Sequence, residues 1–413
     1  MKLLIKSLLL VLTVSLSISC QLNKSEESTI TDEGSQAIFN NLPKSKTIIT
    51  ANNEFSFNFF KEVVKKENKD NYLVSPVSLS LALGMAYNGS AAATKTAFET
   101  TLNYGDASQE EISLVNKNII TNLTNRSSGS LLQIANSIWV EEKFPIKDEF
   151  INLNSNFYSA QTEILNFSDP SSVTTINNWV AQKTNQKITS IIDNLSASTA
   201  LILINALYFK ADWAEQFNPK NNTTLPFYNS DLSSSIKVEM MTMTTDLKYS
   251  ENDLFSSVIL PYKNDKYKLT LLLPNLGQTT NDLAEAMDSQ NWNSWQTTYF
   301  EQKVSITIPK FKFEYENELK DELISLGLEE AFSSSANFSG ISDSSLLISS
   351  VLQKTFIDVN EEGTEAAAVT STFLAMSALP QIFLLNRPFV FVISEKITGS
   401  ICFIGKVAKP EYN

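Results

Sequence analysis

Few residues of this chain have side chains that could carry out chemistry. The sequence contains no histidine, which excludes a Ser-His-Asp triad, a Cys-His pair and the commonest protein metal ligand. The two cysteines, Cys20 and Cys402, are too few for a thiolate metal cluster, and the apolar neighbours of Cys402 predict a core position. Glu361 and Glu362 are paired carboxylates, but adjacent strand residues point to opposite faces. We therefore expect no metal, no cofactor and no enzymatic activity.

The most unusual segment, residues 361–380, combines a glycine with an almost uncharged run of small residues. Gly363 can adopt backbone angles that other residues cannot. At every second position from Thr364, the side chains stay small or β-branched until Leu374, so this strip could enter the middle of a sheet. The residues alone leave a second interpretation open, a short alanine-rich helix that begins at Thr364.

The segment resembles the hinge of the reactive-centre loop of the serpin family. The resemblance rests on a run of eight residues: Glu361, Glu362, Gly363, Thr364, Glu365, Ala366, Ala367 and Ala368. Asn386-Arg-Pro-Phe389 is similar to the strand motif that follows the loop, and further similarity extends from about Asn53 to Pro410. This resemblance implies an α+β serpin fold, with three β-sheets, eight to nine helices and an exposed reactive-centre loop.

The same resemblance implies roles for residues outside the hinge. Ser75, Ser78 and Asn205 match the shutter, where the main sheet must part, and Trp213 matches the breach, where loop insertion begins. Gln353 stands where serpins commonly have a shutter histidine. Because an amide both donates and accepts hydrogen bonds, Gln353 can tie strands together without a charge change near neutrality. Plainer roles are a helix cap for Ser75, a buried amide that needs partners for Asn205, and core packing for Trp213.

Two sequence lengths predict the position of the reactive bond. In serpins this bond usually follows the seventeenth residue counted from the first hinge glutamate, which here is Ser377, and counting back nine residues from Asn386 also reaches Ser377. The expected bond is Ser377-Ala378, with Met376-Ser377 as the alternative. No lysine or arginine occurs between Thr355 and Asn386, so trypsin-like proteases, whose pocket holds a buried carboxylate, are disfavoured.

The resemblance implies an inhibitor that traps a serine protease as an acyl-enzyme by inserting its cleaved loop into the central sheet. The expected targets are elastase-like or subtilisin-like, with chymotrypsin-like proteases also compatible. A net charge of −13 argues against nucleic acid as a partner, and we expect a monomer. The alternatives are a serpin that has lost inhibition, a surface lipoprotein that binds or cleaves glycans through Trp292 and Trp295, and a purely structural surface protein.

The first residues of the chain have the pattern of an export signal. Lys2 and Lys6 precede an apolar stretch, which is shorter than the ~20 residues a spanning helix needs. The residues before Cys20 resemble a bacterial lipobox, in which Cys20 becomes lipid-modified, although Ser17 departs from that motif. An ordinary secretory signal with an incidental cysteine is the alternative. Gln21 after the cysteine favours an outer-membrane lipoprotein of the cell envelope, periplasmic or surface-exposed.

We divide the chain into a signal peptide (1–19), a flexible polar tether (20–48) and a serpin domain (49–413). No internal repeat and no linker-like change of composition is visible after residue 50. Helical spacing predicts helices at 55–64 and around 173–180, and Ser75-Pro76 predicts the start of another. Residues 200–209 are apolar on both faces, as a strand covered on both sides should be. Further strands are predicted at 268–273, 304–308 and in a hairpin over 389–404.

Overall fold

The computed structural model describes residues 32–125, 129–196, 198–364 and 379–412. Three of the predicted features lie outside these ranges. They are the signal peptide with Cys20, the hinge residues from Glu365 to Ala368, and the reactive bond at Met376, Ser377 and Ala378.

Nine helices of seven or more residues form in the described ranges, which agrees with the predicted number. They are α1 (Asp32–Asn41), α2 (Ser45–Lys66), α3 (Pro76–Tyr87), α4 (Ala92–Leu102), α5 (Gln109–Thr124), α6 (Asp148–Tyr158), α7 (Ser171–Lys183), α8 (Thr280–Ala286) and α9 (Ser289–Gln296), and a single turn, α10 (Lys320–Leu323), follows. The helices predicted at 55–64, after Ser75 and around 173–180 are confirmed as α2, α3 and α7.

Fifteen strands build the sheets of the described chain. They are β1 (Asn71–Val74), β2 (Ser130–Glu141), β3 (Gln161–Leu165), β4 (Leu201–Asp212), β5 (Thr223–Tyr228), β6 (Ser235–Glu251), β7 (Phe255–Pro261), β8 (Tyr267–Pro274), β9 (Phe300–Pro309), β10 (Phe311–Glu318), β11 (Ile348–Val359), β12 (Gly363–Thr364), β13 (Gln381–Leu384), β14 (Phe389–Glu395) and β15 (Ile401–Val407). The predicted strands are therefore confirmed as β4, β8, β9, β14 and β15.

The strands pair into two hydrogen-bonded sheets within the described ranges. One has six strands in the order β10-β11-β12-β4-β2-β3, and the other runs β1-β15-β14-β8-β7-β6-β9-β13, with β5 paired to β6. Strand β6 is 17 residues long and pairs with β5, β7 and β9. Because β6 pairs with all three of these strands, it joins two of the three predicted sheets into one nine-stranded sheet. The α+β class is as predicted.

Strand β4 lies in the middle of the six-stranded sheet and is buried on both faces. Leu203 and Leu207 on one face belong to the large core that includes α3. Ile204 and Tyr208 on the other face pack with Trp179 of α7 in a smaller core. This two-sided burial explains the continuous apolar run of the strand. It also divides β4 into a face towards α3 and a face towards α7.

The prediction of a flexible tether up to residue 48 is wrong for residues 32–48. Helix α1 occupies Asp32–Asn41, and α2 begins at Ser45. Phe39 and Ile48 are buried in the main core, and the burial of these apolar side chains stabilises both helical segments. In the described ranges, no helix is long and apolar enough to cross a membrane.

Candidate functional site: the hinge and the shutter

The strands β4 and β11 are in direct contact along only part of their length. They pair in parallel as far as Phe356, which lies opposite Tyr208. Beyond that point the short strand β12 lies between them, with Thr364 opposite Ala211 of β4 and Val359 of β11. The first hinge residues therefore already occupy one end of the space between the two central strands.

Gly363 is required here because the backbone of β4 comes very close to it. A Cβ added at Gly363 would lie 2.1 Å from the carbonyl oxygen of Ala211 and 2.7 Å from Cα of Asp212. The next residue, Thr364, is only 1% exposed, and its hydroxyl lies 2.8 Å from the Tyr262 hydroxyl. Thr364 is thus buried while β4 and β11 are still directly paired over the rest of their contact. The sequence alone does not predict this burial.

Glu361 anchors the start of the hinge. It is 8% exposed, and its carboxylate lies 3.1 Å from Nζ of Lys310 and accepts a hydrogen bond from the Asn222 amide. Burial by itself would raise the pKa of Glu361, but the hydrogen bonds from Asn222 and Lys310 and the charge of Lys310 outweigh it, so the net pKa is lowered. Glu361 is therefore held in its ionised form.

Trp213 joins the hinge to the core. Its indole N–H donates to the Asn360 carbonyl (2.9 Å), and its backbone N–H donates to the Glu362 carbonyl (3.0 Å). Its ring stacks on Tyr262 with centroids 4.6 Å apart, and the residue is buried. Trp213 is thus both a core residue and a direct contact of the hinge backbone.

Gln353 of β11 ties together three parts of the chain at the shutter. Its side-chain oxygen accepts from the backbone N–H of Ser75 (2.8 Å), and its amide donates to the Ser75 carbonyl (2.9 Å). The same amide donates to Oδ1 of Asn205 on β4 (2.6 Å). Gln353 therefore links β11 to β4 and to the start of α3 without using an ionisable group.

Asn205 completes this network with the partners that a buried amide needs. Its amide donates to the hydroxyl of Ser78 and to Oδ1 of Asn136 (2.5 Å). Asn136, Asn205 and Gln353 lie side by side in register on β2, β4 and β11. Sequence reasoning missed Asn136. The available signal was an amide among the apolar residues of β2, the same pattern that marks Asn205 in β4.

The prediction that the Ser75 side chain caps α3 is wrong. Ser75 occupies the N-cap position before Pro76 but makes no side-chain capping bond. Its hydroxyl donates instead to the carbonyl oxygen of Cys402 (2.6 Å), which lies in the core strand β15, as expected for Cys402. A buried carbonyl needs a donor, and Ser75 supplies one that links the shutter to the nine-stranded sheet.

Of the two tryptophans considered for glycan binding, Trp292 belongs to the core and the partly buried Trp295 packs against it. Trp292 is 6% exposed and its ring centroid lies 5.7 Å from that of Phe57. Trp295 packs edge-on to Phe255 at 4.8 Å. They therefore form no exposed aromatic platform, and that alternative loses its basis. Among the described residues, no group of three or more histidine, cysteine, aspartate and glutamate side chains is placed to hold a metal ion.

The chain matches the model of a known protein family. The family model described as Serpin (serine protease inhibitor) matches residues 50–410. The chain belongs to the serpin family. Members of this family are in general protease inhibitors rather than catalysts. The hinge, the shutter and Trp213 all lie inside the matched range.

Several relatives resemble this serpin over most of its length. A serpin-like protein of Methanosarcina acetivorans is 34% identical over 380 residues, which cover 88% of each chain. The thermophilic serpin tengpin in its native state superposes with a TM-score of 0.81 and 33% identity, over 87% of this chain and 94% of tengpin. Human thyroxine-binding globulin in complex with thyroxine gives a TM-score of 0.83 and 28% identity, over 90% of this chain and all of that chain.

Proposed function

We propose that this serpin is a suicide inhibitor of serine proteases. A target protease cleaves the reactive-centre loop and forms an acyl-enzyme, and the freed loop then inserts between β4 and β11. The observation that carries the proposal is the pairing of Gly363–Thr364 with both strands, because it provides the start of the inserted strand. The catalytic residues belong to the protease, and this chain supplies no catalysis of its own.

The two ladders of β12 define the register of insertion. Thr364 faces Ala211 on one side and Val359 on the other. Six residues further along both antiparallel ladders, Thr370 would lie between Asn205 and Gln353. Both ladders give the same partner row, so the inserting strand would separate the two amides that now hold the shutter closed.

The side chains of the inserting segment suit this path. Thr364 and Ala211 point towards the core that includes α3, so Ala366, Ala368 and Thr370 would face the same side. All three are small, and a small side chain enters a close-packed layer with little steric cost.

The free energy of insertion is large enough to inactivate a protease. A central strand of about ten residues, after the lost β4–β11 pairing is subtracted, adds on the order of ten backbone hydrogen bonds. At about 0.5–1.5 kcal/mol each, they sum to roughly 5–15 kcal/mol. Removal of a single oxyanion-hole donor costs a protease about 3–4 kcal/mol. Insertion can therefore distort the protease active site before water releases the acyl group.

The loop sequence favours elastase-like or subtilisin-like targets, with chymotrypsin-like proteases as a further possibility. Cleavage at Ser377-Ala378, or at Met376-Ser377, presents a small or soft apolar residue to the specificity pocket. Two residues beyond Ser377, Leu379 is 97% exposed and accessible to a protease. A pocket built around a carboxylate would leave its charge unpaired against this loop.

A gel screen tests the proposal. The chain is mixed with elastase-like, subtilisin-like, chymotrypsin-like and trypsin-like proteases, and the products are separated under denaturing conditions. We expect a covalent complex with the first or second class and a released peptide that begins at Ala378 or Ser377. Cleavage without any complex across all four classes would favour a serpin that has lost inhibition.

We further propose that Cys20 carries lipid and tethers a monomeric serpin domain to the cell envelope, at the outer membrane. The charged start, the apolar stretch and the small residue before Cys20 support this. A fatty-acid probe should label the wild-type chain and leave Cys20→Ala unlabelled. Equal labelling of both would contradict the anchor.

A further inference from the structure

The segment that follows β15, residues 408–412, runs from the nine-stranded sheet to the hinge end of the six-stranded sheet. Its last two residues, Glu411 and Tyr412, lie beyond the residues 50–410 that the family model matches. Membership of the family therefore assigns them no role. Their contacts in the structure are with β10, with Lys310 and with the turn before β12.

The backbone of this segment is held at two places. The N–H groups of Ala408 and Lys409 both donate to Oδ1 of Asn71 on β1, at 3.0 Å each. The carbonyl oxygen of Glu411 accepts a hydrogen bond from the N–H of Lys312 on β10 at 2.8 Å. These bonds fix the path of the chain immediately before its last described residue, so that the side chain of that residue is delivered to the hinge.

The ring of Tyr412 lies over the ammonium group that pairs with the hinge. Nζ of Lys310 is 4.3 Å from the ring centroid, which is within the range of a cation–π interaction. The same ammonium lies 3.1 Å from the Glu361 carboxylate, and the two charged side chains are only 13% and 11% exposed. A ring that excludes water from an ion pair strengthens the attraction between the charges. Tyr412 therefore supports the Lys310–Glu361 pair.

The hydroxyl of Tyr412 reaches the turn between β11 and β12. The side-chain amide of Asn360 donates to this hydroxyl oxygen at 3.4 Å and to Oδ1 of Asp358 at 3.3 Å. Asn360 also closes the turn, because its backbone N–H donates to the Gly363 carbonyl and its Oδ1 accepts from the N–H of Glu362, at 3.0 Å each. One side chain thus contacts both the ion pair and the turn that precedes β12.

This turn is the place from which the proposed inserted strand would grow. Strand β12 is the part of that strand that is already paired with β4 and β11, and insertion would extend it away from the turn. The contacts of Tyr412 are therefore compatible with both the uncut and the inserted forms. They are lost when β12 leaves the sheet, so they favour the forms in which the strand has already started.

We propose that Tyr412 is a positioning residue for loop insertion. It holds the Lys310–Glu361 pair and the β11–β12 turn in place, and thereby keeps β12 between β4 and β11 before a protease cleaves the loop. The effect on proteases rests on the inhibition proposed above, whereas the effect on β12 is a property of the uncut chain. The two effects are therefore measured separately.

Amide hydrogen exchange of Gly363 and Thr364 in the uncut chain measures the opening of β12. Tyr412→Leu removes the aromatic ring and keeps a large apolar side chain, and Tyr412→Phe removes only the hydroxyl. We expect exchange about two- to fivefold faster in Tyr412→Leu, which is the effect of losing a partly exposed cation–π contact. Tyr412→Phe should stay close to the wild type, because its ring still covers Lys310. Amides of β8, away from the hinge, should be unchanged in both variants.

Lys310→Met distinguishes this role from a general loosening of the hinge. Without the ammonium group, Tyr412→Leu and Tyr412→Phe should give equal exchange of β12, since the two substitutions then differ by no charge contact. A difference between them that persists in the Lys310→Met background would overturn the proposal. So would wild-type exchange of β12 in Tyr412→Leu.

The second measurement uses a protease that the wild type traps. The ratio of chain cleaved without trapping to chain trapped should rise about two- to fivefold in Tyr412→Leu and stay near the wild-type ratio in Tyr412→Phe. Faster exchange of β12 with an unchanged ratio would overturn the role in insertion. A wild type that traps no protease would contradict the proposed inhibition instead, and the exchange measurement would still decide whether Tyr412 holds β12 in the sheet.

Discussion

The two ends of the β4–β11 pair are held in different ways. At the hinge end, β12 already separates the strands, with Thr364 between Ala211 and Val359. At the shutter end, the strands pair directly, and Gln353 bonds to Asn205 across them. In the proposed mechanism, insertion would therefore begin at the hinge end and be opposed at the shutter end. If so, the barrier to loop insertion should lie at the shutter.

The chemistry of the two ends differs as well. The hinge is anchored by an ion pair, Lys310–Glu361, in which both side chains keep some exposure. The shutter is an uncharged network of buried amides, hydroxyls and backbone groups around Gln353. The hinge should accordingly respond to acid, and the shutter should not.

Thr364→Arg should have the largest effect. Residue 364 is buried in the described structure and stays buried on insertion, so an arginine there would place an unpaired charge in the core, at a cost of several kcal/mol, roughly 3–5. Before cleavage the chain can relieve this by expelling β12, whereas the inserted form cannot. The variant should become a cleaved substrate, with the yield of covalent complex reduced at least about tenfold. Thr364→Ser, which keeps the hydroxyl, is the control, and a wild-type yield for Thr364→Arg would refute loop insertion.

Gln353→Ala should have the next largest effect. It leaves the Ser75 N–H and Asn205 Oδ1 without their bonds to Gln353, whereas the Ser75 carbonyl keeps the Leu79 N–H (3.1 Å). Unpaired buried groups cost about 1–3 kcal/mol each before relaxation. We expect a lower Tm and faster conversion, without protease, to an inactive form that no longer traps proteases. Gln302→Ala, on β9 and outside the network, controls for loss of an amide. An unchanged conversion rate in Gln353→Ala would show that the shutter is not the barrier.

Glu361→Gln should have a smaller effect that depends on pH. The native pKa of Glu361 is lowered, so its contribution to stability is present above the unfolded value of about 4.3 and is lost as the pH falls through the native pKa. At pH 7 we expect the variant to lose about 1 kcal/mol, a figure kept small because the group is partly exposed. Thermal unfolding at several pH values measures this. Glu239→Gln, whose more exposed carboxylate lies 3.7 Å from the same Lys310, should lose less.

The smallest effect concerns the wild type, whose melting temperature, Tm, should change little between pH 5 and 8. The chain has no histidine, and no group in the Gln353 network titrates in this range. The Tm of the wild type should therefore vary by less than roughly 3 °C over this interval, apart from the contribution of carboxyl groups whose pKa is shifted. Gln353→His would introduce a titrating group and should add a pH-dependent transition. A steep transition near pH 6.5 in the wild type would show that another group controls the sheet.

The central strand was predictable because a local signal marks it, whereas the shutter residues were expected only from the resemblance to serpins, and Asn136 was missed. The unbroken apolar run of β4 indicates burial on both faces, and an amide such as Asn205 within it must find partners. The burial of Thr364 was not predictable, since it depends on the close approach of Ala211, more than 150 positions earlier in the chain. Likewise, the Ser75 hydroxyl bonds to Cys402 of a distant strand, and its local sequence signals only a helix cap.

Loop insertion is tested most directly by amide hydrogen exchange on the chain in covalent complex with a serine protease. Loop insertion predicts that residues 365–374 become protected to the same degree as β4, with Thr370 protected between Asn205 and Gln353. The β4 and β11 amides should stay protected as well, because the new strand replaces their lost partners. A covalent complex in which residues 365–374 exchange at the rate of an unprotected chain would contradict the mechanism.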